Sequence, residues 1–390
     1  IILLMNFKKS LGRQVLKISS LIRADYSMLY KMVSMLLQLA ISLSVVAKGY
    51  LSIDVIFELS LIFALLGPGI EFFSYINLKD VYFERIQRYV HADQLVSLLL
   101  LVLGIFIYAI NHDFNAVEWI FSISLIAVKL VDNLYYSSHL CNKPIASKKV
   151  LLGLTLQVSI LSSLWLTKVS PDYVWLYAIM LIFMIPSFKY VNFAPSLIRR
   201  ILKSYILSII GSLPSIAMLS IGALIGNSNF GVEYFSASKG YSLCQKGIQL
   251  IKGRLINVNS VVNKPHLFVI ILLPMAVILW LSSLVFYFIM TGDYINSLFV
   301  YLFFTLLLIG ATLNNIDLRY LKGHRLKYVL DFSVFMFVIV LFSGVLWSFD
   351  IEIHEKFKYL CIFLMFSQMV RLLEFYYSEW RALGVSNKST

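Results

Sequence analysis

Long apolar runs recur along the whole chain and constrain its fold more than any other feature of the sequence. A run of about 18 or more apolar residues is typical of a helix that crosses a bilayer. Connections between the runs are short, so we predict an all-α membrane protein without a large extramembrane domain. Twelve candidate spans cover 27–47, 53–76, 94–111, 117–138, 150–167, 173–190, 203–226, 231–254, 267–290, 295–314, 328–349 and 357–379.

The composition agrees with this fold class and excludes several functions. Hydrophobic residues make up 60% of the chain and charged residues 14%, and a soluble domain of that composition would expose large apolar patches. The three cysteines are far apart and the histidines form no metal-binding motif, which disfavours a metal-dependent enzyme. We expect no cofactor, no metal and no nucleic-acid partner. Because the chain opens with IILLM, either its start is missing or Met5 is the first residue.

Lysine and arginine are distributed unevenly between the two sets of connections. With the N-terminus inside, the cytoplasmic segments hold 24 of these residues and the opposite loops hold four. The positive-inside rule therefore places both termini in the cytoplasm and supports an even number of spans. Five cations fall inside predicted spans: Lys31, Lys129, Lys239, Lys246 and Arg371.

The two halves of the sequence resemble each other at an offset of about 180 residues. VDNLYYSSHLCNKPIASKK ends the fourth span, LNNIDLRYLKGHRLK ends the tenth, and both run from an apolar helix through Asn into a short basic loop. We therefore predict two pseudo-symmetric six-helix bundles related by an axis along the membrane normal. The predicted segments are a cytoplasmic N-terminal segment 1–26, a lobe 27–190, a linker 191–202, a second lobe 203–379 and a tail 380–390.

The start of the second half carries a resemblance to a known family. It has a basic approach, a helix with a proline within it, a short Gly/Asn loop, and an eighth helix that begins with a glycine and tyrosine followed by a lysine. The residues are Arg199, Arg200, Pro214, Gly226, Asn227, Gly231, Glu233, Tyr234 and Lys239. In these features the chain resembles Wzx-type O-antigen flippases of the multidrug/oligosaccharidyl-lipid/polysaccharide exporter superfamily.

The resemblance implies a MATE-like fold in which two six-helix lobes alternate access to a central cavity. It also implies an inner-membrane flippase that moves undecaprenyl-pyrophosphate-linked oligosaccharide, an O-antigen or capsule repeat unit, from the cytoplasmic to the outer leaflet. Coupling to an H⁺ gradient, coupling to a Na⁺ gradient and transport without either are all left open. The bilayer, the lipid-linked oligosaccharide, and the polymerase and chain-length regulator of the same pathway are the implied partners.

The eighth span combines length with buried positive charge. Lys239 and Lys246 are seven residues apart, which is almost two helical turns, so both leave the same side of the helix. A lysine facing lipid near the midplane costs about 2.5–3.5 kcal/mol, so such residues normally face a wet cavity or a partner. The span also contains the polar residues Ser236, Ser238, Ser242, Gln245 and Gln249. We predict that it lines an aqueous cavity for an anionic head group. The alternative is that Lys239 pairs with Glu233 or a neighbouring acid and that Lys246 snorkels inward.

The remaining intramembrane charges have open interpretations. Lys129 and Asp132 are three residues apart and share a helix face, so they form either an internal ion pair or part of the cationic cavity wall. Arg371 and Glu374 repeat that spacing, and Lys31, one turn inside its span, is expected to snorkel. Candidates for proton or sodium coupling are Glu58, Glu71, Asp132, Glu233 and Asp331.

Two other functions remain as alternatives. A small-molecule or drug antiporter of the same superfamily would share the fold, but a cavity with several lysines favours an anionic substrate over a cationic drug. An O-antigen polymerase or ligase would carry a large outer loop with Arg and His residues, and the outer loops predicted here are short. We therefore predict a transporter and not an enzyme.

Overall fold

A computed structural model describes residues 26–66, 83–140, 147–166, 170–185, 215–228, 230–257, 265–293 and 298–316, together with Glu355, Tyr359 and Ile362. Within these ranges the chain forms helices and short turns. We number the helices α1 Tyr26–Ala47, α2 Ile53–Leu66, α3 Phe83–His112, α4 Ala116–Leu140, α5 Ser147–Leu166, α6 Pro171–Met184, α7 Ser215–Ile225, α8 Gly231–Asn257, α9 Pro265–Thr291 and α10 Leu298–Ile316. They correspond in order to the first ten predicted spans, while the eleventh and twelfth lie almost wholly outside the described residues.

Local sequence signals account for several helix ends. Asn115 caps α4: its side-chain oxygen accepts hydrogen bonds from the backbone amides of Val117 and Glu118 at 2.8 and 3.0 Å. The Glu118 carboxylate returns to the Asn115 amide at 2.6 Å, which completes a capping box. Just after α1, Gly49 has φ +64°, a left-handed conformation that suits glycine and stops the helix.

The described helices form a multi-pass membrane protein. Four of them contain segments long and apolar enough to cross a bilayer, at Leu29–Ala47, Gln94–His112, Ser147–Leu166 and Ile271–Thr291. Shorter apolar helices occur at Pro171–Met184, Ser215–Ile225 and Leu298–Ile309. Large apolar side chains on the outside of the bundle, such as those of Phe106, Phe183 and Leu273, are exposed and fit contact with lipid.

Helix α4 is the centre of the first half, which comprises α1 to α6. It packs against α1, α3, α5 and α6, and its residues 121–130 are all buried. In the second half, α8 packs against both α9 and α10. The neighbour pairs α2–α3 and α3–α4 match α8–α9 and α9–α10, as an internal repeat requires, and the repeat itself stays a prediction.

The two halves meet through a small set of helices. Helix α1 contacts both α8 and α9, and α2 contacts α8. Residues of the α7–α8 turn also reach the first turn of α2. The interface is therefore built from α1 and α2 on one side and α7, α8 and α9 on the other.

Candidate functional site

Helix α8 has one strongly buried side. Tyr234, Ala237, Tyr241, Cys244 and Ile248 are buried, and their alternating three- and four-residue spacing places them on one side of the helix. At 27 residues and 1.5 Å per residue the helix is about 40 Å long, enough to cross a bilayer. This buried side fixes how α8 is rotated within the protein.

Aromatic packing attaches that side of α8 to α10. The Tyr234 ring centroid lies 5.0 Å from that of Phe304 and 6.1 Å from that of Phe303, and Tyr241 lies 5.8 Å from Phe304. The Tyr234 hydroxyl donates a hydrogen bond to the Met218 carbonyl of α7 at 2.7 Å. Tyr234 is therefore a packing residue with a satisfied hydroxyl, and these contacts leave its ring buried.

A close backbone approach joins α8 to α9. A Cβ atom added at Gly240 would lie 2.4 Å from the Ser283 hydroxyl oxygen and 3.1 Å from the Leu279 carbonyl oxygen, so the two helices pack closely at this glycine. One turn further along, the Cys244 thiol donates to the Met275 carbonyl at 3.2 Å. Together with the α10 contacts, this leaves one side of α8 turned away from the described helices of its own half.

That remaining side carries the two predicted lysines. Lys239, Ser242, Leu243 and Lys246 are half-buried and follow the i, i+3, i+4, i+7 pattern of a single helix face, here named the lysine face. Lys239 is two residues from Tyr241, which corresponds to about 200° of helix rotation. The lysine face is therefore on the opposite side of α8 from its contacts with α10.

The surroundings of Lys239 are aromatic and belong to the interface between the halves. Its ammonium nitrogen lies 4.9 Å from the centroid of the Phe235 ring, a cation–π geometry. Phe235 is in turn 5.7 Å from Phe57 of α2, measured between ring centroids. The predicted alternative, in which Lys239 pairs with Glu233 or a neighbouring acid, stays a prediction.

The serines of α8 behave differently from the sequence-based interpretation. Ser236 and Ser238 are buried, and their hydroxyls donate to the carbonyls of Glu233 and Phe235 at 2.9 and 2.8 Å. These hydroxyls are satisfied by their own helix and do not face water. The prediction that α8 is polar around most of its circumference toward a cavity is thus corrected to one narrower face.

The first half contains a buried ion pair. The Lys31 ammonium of α1 lies 3.5 Å from a carboxylate oxygen of Asp132 on α4, and 5.0 Å from the centroid of the Tyr135 ring. Lys31 is only 3% exposed, so the expectation that it snorkels to the surface is wrong. Lys129, one turn before Asp132, is also buried, at 7% exposure. The Asp132 carboxylate therefore joins α4 to α1, and the two interpretations of Lys129 stay predictions.

A polar stripe on α1 extends this interior and was missed by sequence reasoning. Ser34, Gln38 and Ser42 follow Lys31 at spacings of three, four and four residues, so all four share a face, and all are buried. The Gln157 amide of α5 donates to the Ser34 carbonyl at 3.2 Å. The spacing of polar residues in an apolar helix was the signal that could have revealed this stripe.

The acidic candidates are distributed over the bundle. Glu58 of α2 accepts a hydrogen bond from the Tyr108 hydroxyl of α3, and the Tyr108 ring stacks on His112 with centroids 4.1 Å apart. Glu233 is buried in the first turn of α8. The acidic candidates Glu71 and Asp331 lie outside the described residues, and so does the cationic candidate Arg371.

Comparison with protein-family models, with curated proteins and with solved structures finds no match to this chain.

Proposed function

We propose that this protein is a membrane flippase for a lipid-linked anionic substrate, namely undecaprenyl-pyrophosphate-linked oligosaccharide. The observation that carries the proposal is the lysine face of α8, which is turned away from α9 and α10 while Phe235 beside it contacts α2. A helix that is anchored on one side and cationic on the other suits the wall of a passage between two halves.

The spacing of the cations suits the movement of a phosphate group. Lys239 and Lys246 are about 10 Å apart along the helix axis at 1.5 Å per residue. An ammonium group binds phosphate as a mobile point charge and does not demand one orientation. The pyrophosphate would therefore pass from one lysine to the next, while the prenyl chain remained in lipid and the sugars occupied the space between the halves.

The direction of transport is the one that the family resemblance implies, and the distribution of positive charge gives the orientation of α8 relative to it. Because the connections on the lysine-rich side are cytoplasmic by the positive-inside rule, α8 runs from the outer to the inner surface. Lys246 would then receive the head group from the cytoplasmic side, and Lys239 would deliver it outward. Both termini would lie in the cytoplasm of a bacterial cell, with the protein in the inner membrane.

Substitution of the two lysines tests the proposal. In cells that depend on this protein, the double variant Lys239→Ala/Lys246→Ala should stop display of the polysaccharide and leave single lipid-linked repeat units on the cytoplasmic leaflet. The variant Lys239→Arg/Lys246→Arg keeps both charges and should retain part of the export. Lys48→Ala is a matched control, because Lys48 lies after α1 at 4.3 Å from the Trp165 ring and not on the lysine face.

The outcomes are distinct. Normal export by the double alanine variant, at wild-type membrane abundance, contradicts the proposal. Accumulation of single repeat units that have already been joined to their final acceptor would indicate a polymerase instead. Loss of export in the Lys48→Ala control would indicate a general effect of removing lysine and not a substrate path.

A further inference from the structure

Helix α2 links the two halves of the protein. One of its sides is attached to α3, where Glu58 accepts a hydrogen bond from Tyr108. Phe57, the residue before Glu58, points to α8. The centroid of its ring lies 5.7 Å from the ring centroids of both Tyr234 and Phe235. The consecutive residues Phe57 and Glu58 thus connect α2 to opposite halves.

The first turn of α2 forms a polar contact with the α7–α8 turn. The Asn227 side-chain amide donates to the Asp54 carboxylate at 3.0 Å, and the two residues are 173 positions apart. A Cβ atom added at Gly226 would lie 2.5 Å from the Asp54 backbone nitrogen, so the two backbones touch at this point. The turn lies directly on the start of α2.

Beneath this contact an aromatic group fills the space between the halves. Phe57 is 1% exposed, and Tyr234 and Phe235 are fully buried. A Cβ atom added at Gly222 of α7 would lie 2.6 Å from the Phe57 ring, so the ring lies flat against the α7 backbone. We name the polar contact and the aromatic group together the α2 seal: Asp54, Phe57, Gly222, Asn227, Tyr234 and Phe235.

The seal lies between the lysine face and one end of the bundle. Phe235 precedes Lys239 by one turn, which is about 6 Å along the helix, and the Lys239 ammonium lies 4.9 Å from the centroid of the Phe235 ring. Because α8 begins at Gly231, Tyr234 and Phe235 are nearer than Lys239 to the start of α8. The Asp54–Asn227 contact lies at the same end, where the first turn of α2 meets the α7–α8 turn.

We propose that the α2 seal is the outer gate of the substrate path, closed in this structure, and that α2 opens it by moving together with α3. The Glu58–Tyr108 hydrogen bond keeps α2 with α3 while its Phe57 side separates from α8. The direction named outer rests on the proposed function. The gate predicts that Lys239 is shielded from water on that side until Phe57 and Asn227 have released their partners.

Labelling of a cysteine at position 239 tests the gate without any substrate. Cys141, Cys244 and Cys361 are first changed to Ser, and Lys239→Cys is then exposed in right-side-out vesicles to a charged thiol reagent that does not cross membranes. Adding Phe57→Ala should raise the labelling rate about tenfold or more, because the closed state loses the burial of one aromatic ring and the equilibrium shifts toward the open state. Phe63→Ala is the matched control on α2, since Phe63 is also partly buried against the core but lies outside the seal, and it should leave the labelling rate close to that of Lys239→Cys alone.

A cross-link gives the opposite change and does not depend on the stability of Phe57→Ala. A disulfide between Asp54→Cys and Asn227→Cys should slow labelling of the cysteine at position 239 from outside and leave its labelling from inside unchanged. Mass spectrometry of the peptide that contains position 239 measures this labelling. Equal labelling of the locked and reduced proteins from outside overturns the gate. If the gate behaves as expected while Lys239→Ala/Lys246→Ala still exports polysaccharide, the proposed function fails and the gate stands.

Discussion

The Lys31 ammonium lies 3.5 Å from the Asp132 carboxylate in the interior of the first half, so that one ion pair joins α1 to α4. The Tyr135 ring, 5.0 Å from the same ammonium, covers it from the α4 side. Removing one partner of a buried pair leaves an uncompensated charge, whereas replacing both partners by apolar residues costs much less. The pair is therefore a sensitive point for the stability of the bundle.

We expect Lys31→Met and Asp132→Asn each to lower the free energy of unfolding by about 3–5 kcal/mol, because each strands its partner in a low-dielectric interior. The double variant Lys31→Met/Asp132→Leu should recover much of that loss. Thermal unfolding in detergent measures all three. Asp113→Asn is the control, since Asp113 is exposed and its φ of +48° suits asparagine. A single Asp132→Asn variant as stable as this control would contradict the buried pair.

Gly240 and Gly247 on α8 make a matched comparison of packing against α9. Gly240→Ala should destabilise the protein by about 1–3 kcal/mol, since its new methyl group overlaps the Ser283 hydroxyl and forces that side chain or the helix to shift. At Gly247 the nearest atom to an added Cβ is the Met275 sulfur at 3.7 Å, an ordinary contact. Gly247→Ala should therefore be neutral or gain up to about 1 kcal/mol from helix propensity. Equal unfolding temperatures for the two variants would show that α8 and α9 are further apart than described.

The Tyr108 hydroxyl bonds to a carboxyl group, and the Tyr177 hydroxyl donates to the Ser159 carbonyl at 3.0 Å. Hydrogen bonds to charged groups contribute about 1.5–3 kcal/mol and neutral ones about 0.5–1.5 kcal/mol. Tyr108→Phe should therefore lower stability more than Tyr177→Phe in the same thermal assay. Glu58→Gln, which keeps an acceptor oxygen, should fall between them. A larger loss of stability for Tyr177→Phe than for Tyr108→Phe would contradict the Tyr108–Glu58 hydrogen bond.

The positions of several helices could be predicted from hydropathy alone. The predicted spans 117–138 and 267–290 correspond to Ala116–Leu140 and Pro265–Thr291 within a few residues, because an apolar run and its polar flanks mark the helix ends. The start of α3 could not be predicted in this way. That helix begins at Phe83, eleven residues before the predicted 94, since its first turns are rich in charged and polar residues that a hydropathy window excludes.

The pairing of the buried charges was beyond sequence reasoning for a different reason. Helical spacing shows which residues share a face, so Lys239 and Lys246 could be assigned to one side of α8. It does not show which helix lies opposite that face. Lys31 and Asp132 are on separate helices, and only the packing of α1 on α4 brings them together. The same limit applies to Phe57, whose neighbours on α8 are far along the chain.

The 173-residue separation of Asp54 and Asn227 also determines the order in which the protein can be assembled. At a synthesis rate of about 5–20 residues per second, roughly 9–35 s pass between delivery of the two residues by the ribosome. During that time Phe57 and Asp54 are already in the membrane and have no Tyr234, Phe235 or Asn227 to contact. A nascent chain interrupted before α8 therefore displays a bare aromatic and acidic surface, which makes it a ready target for membrane quality-control proteases.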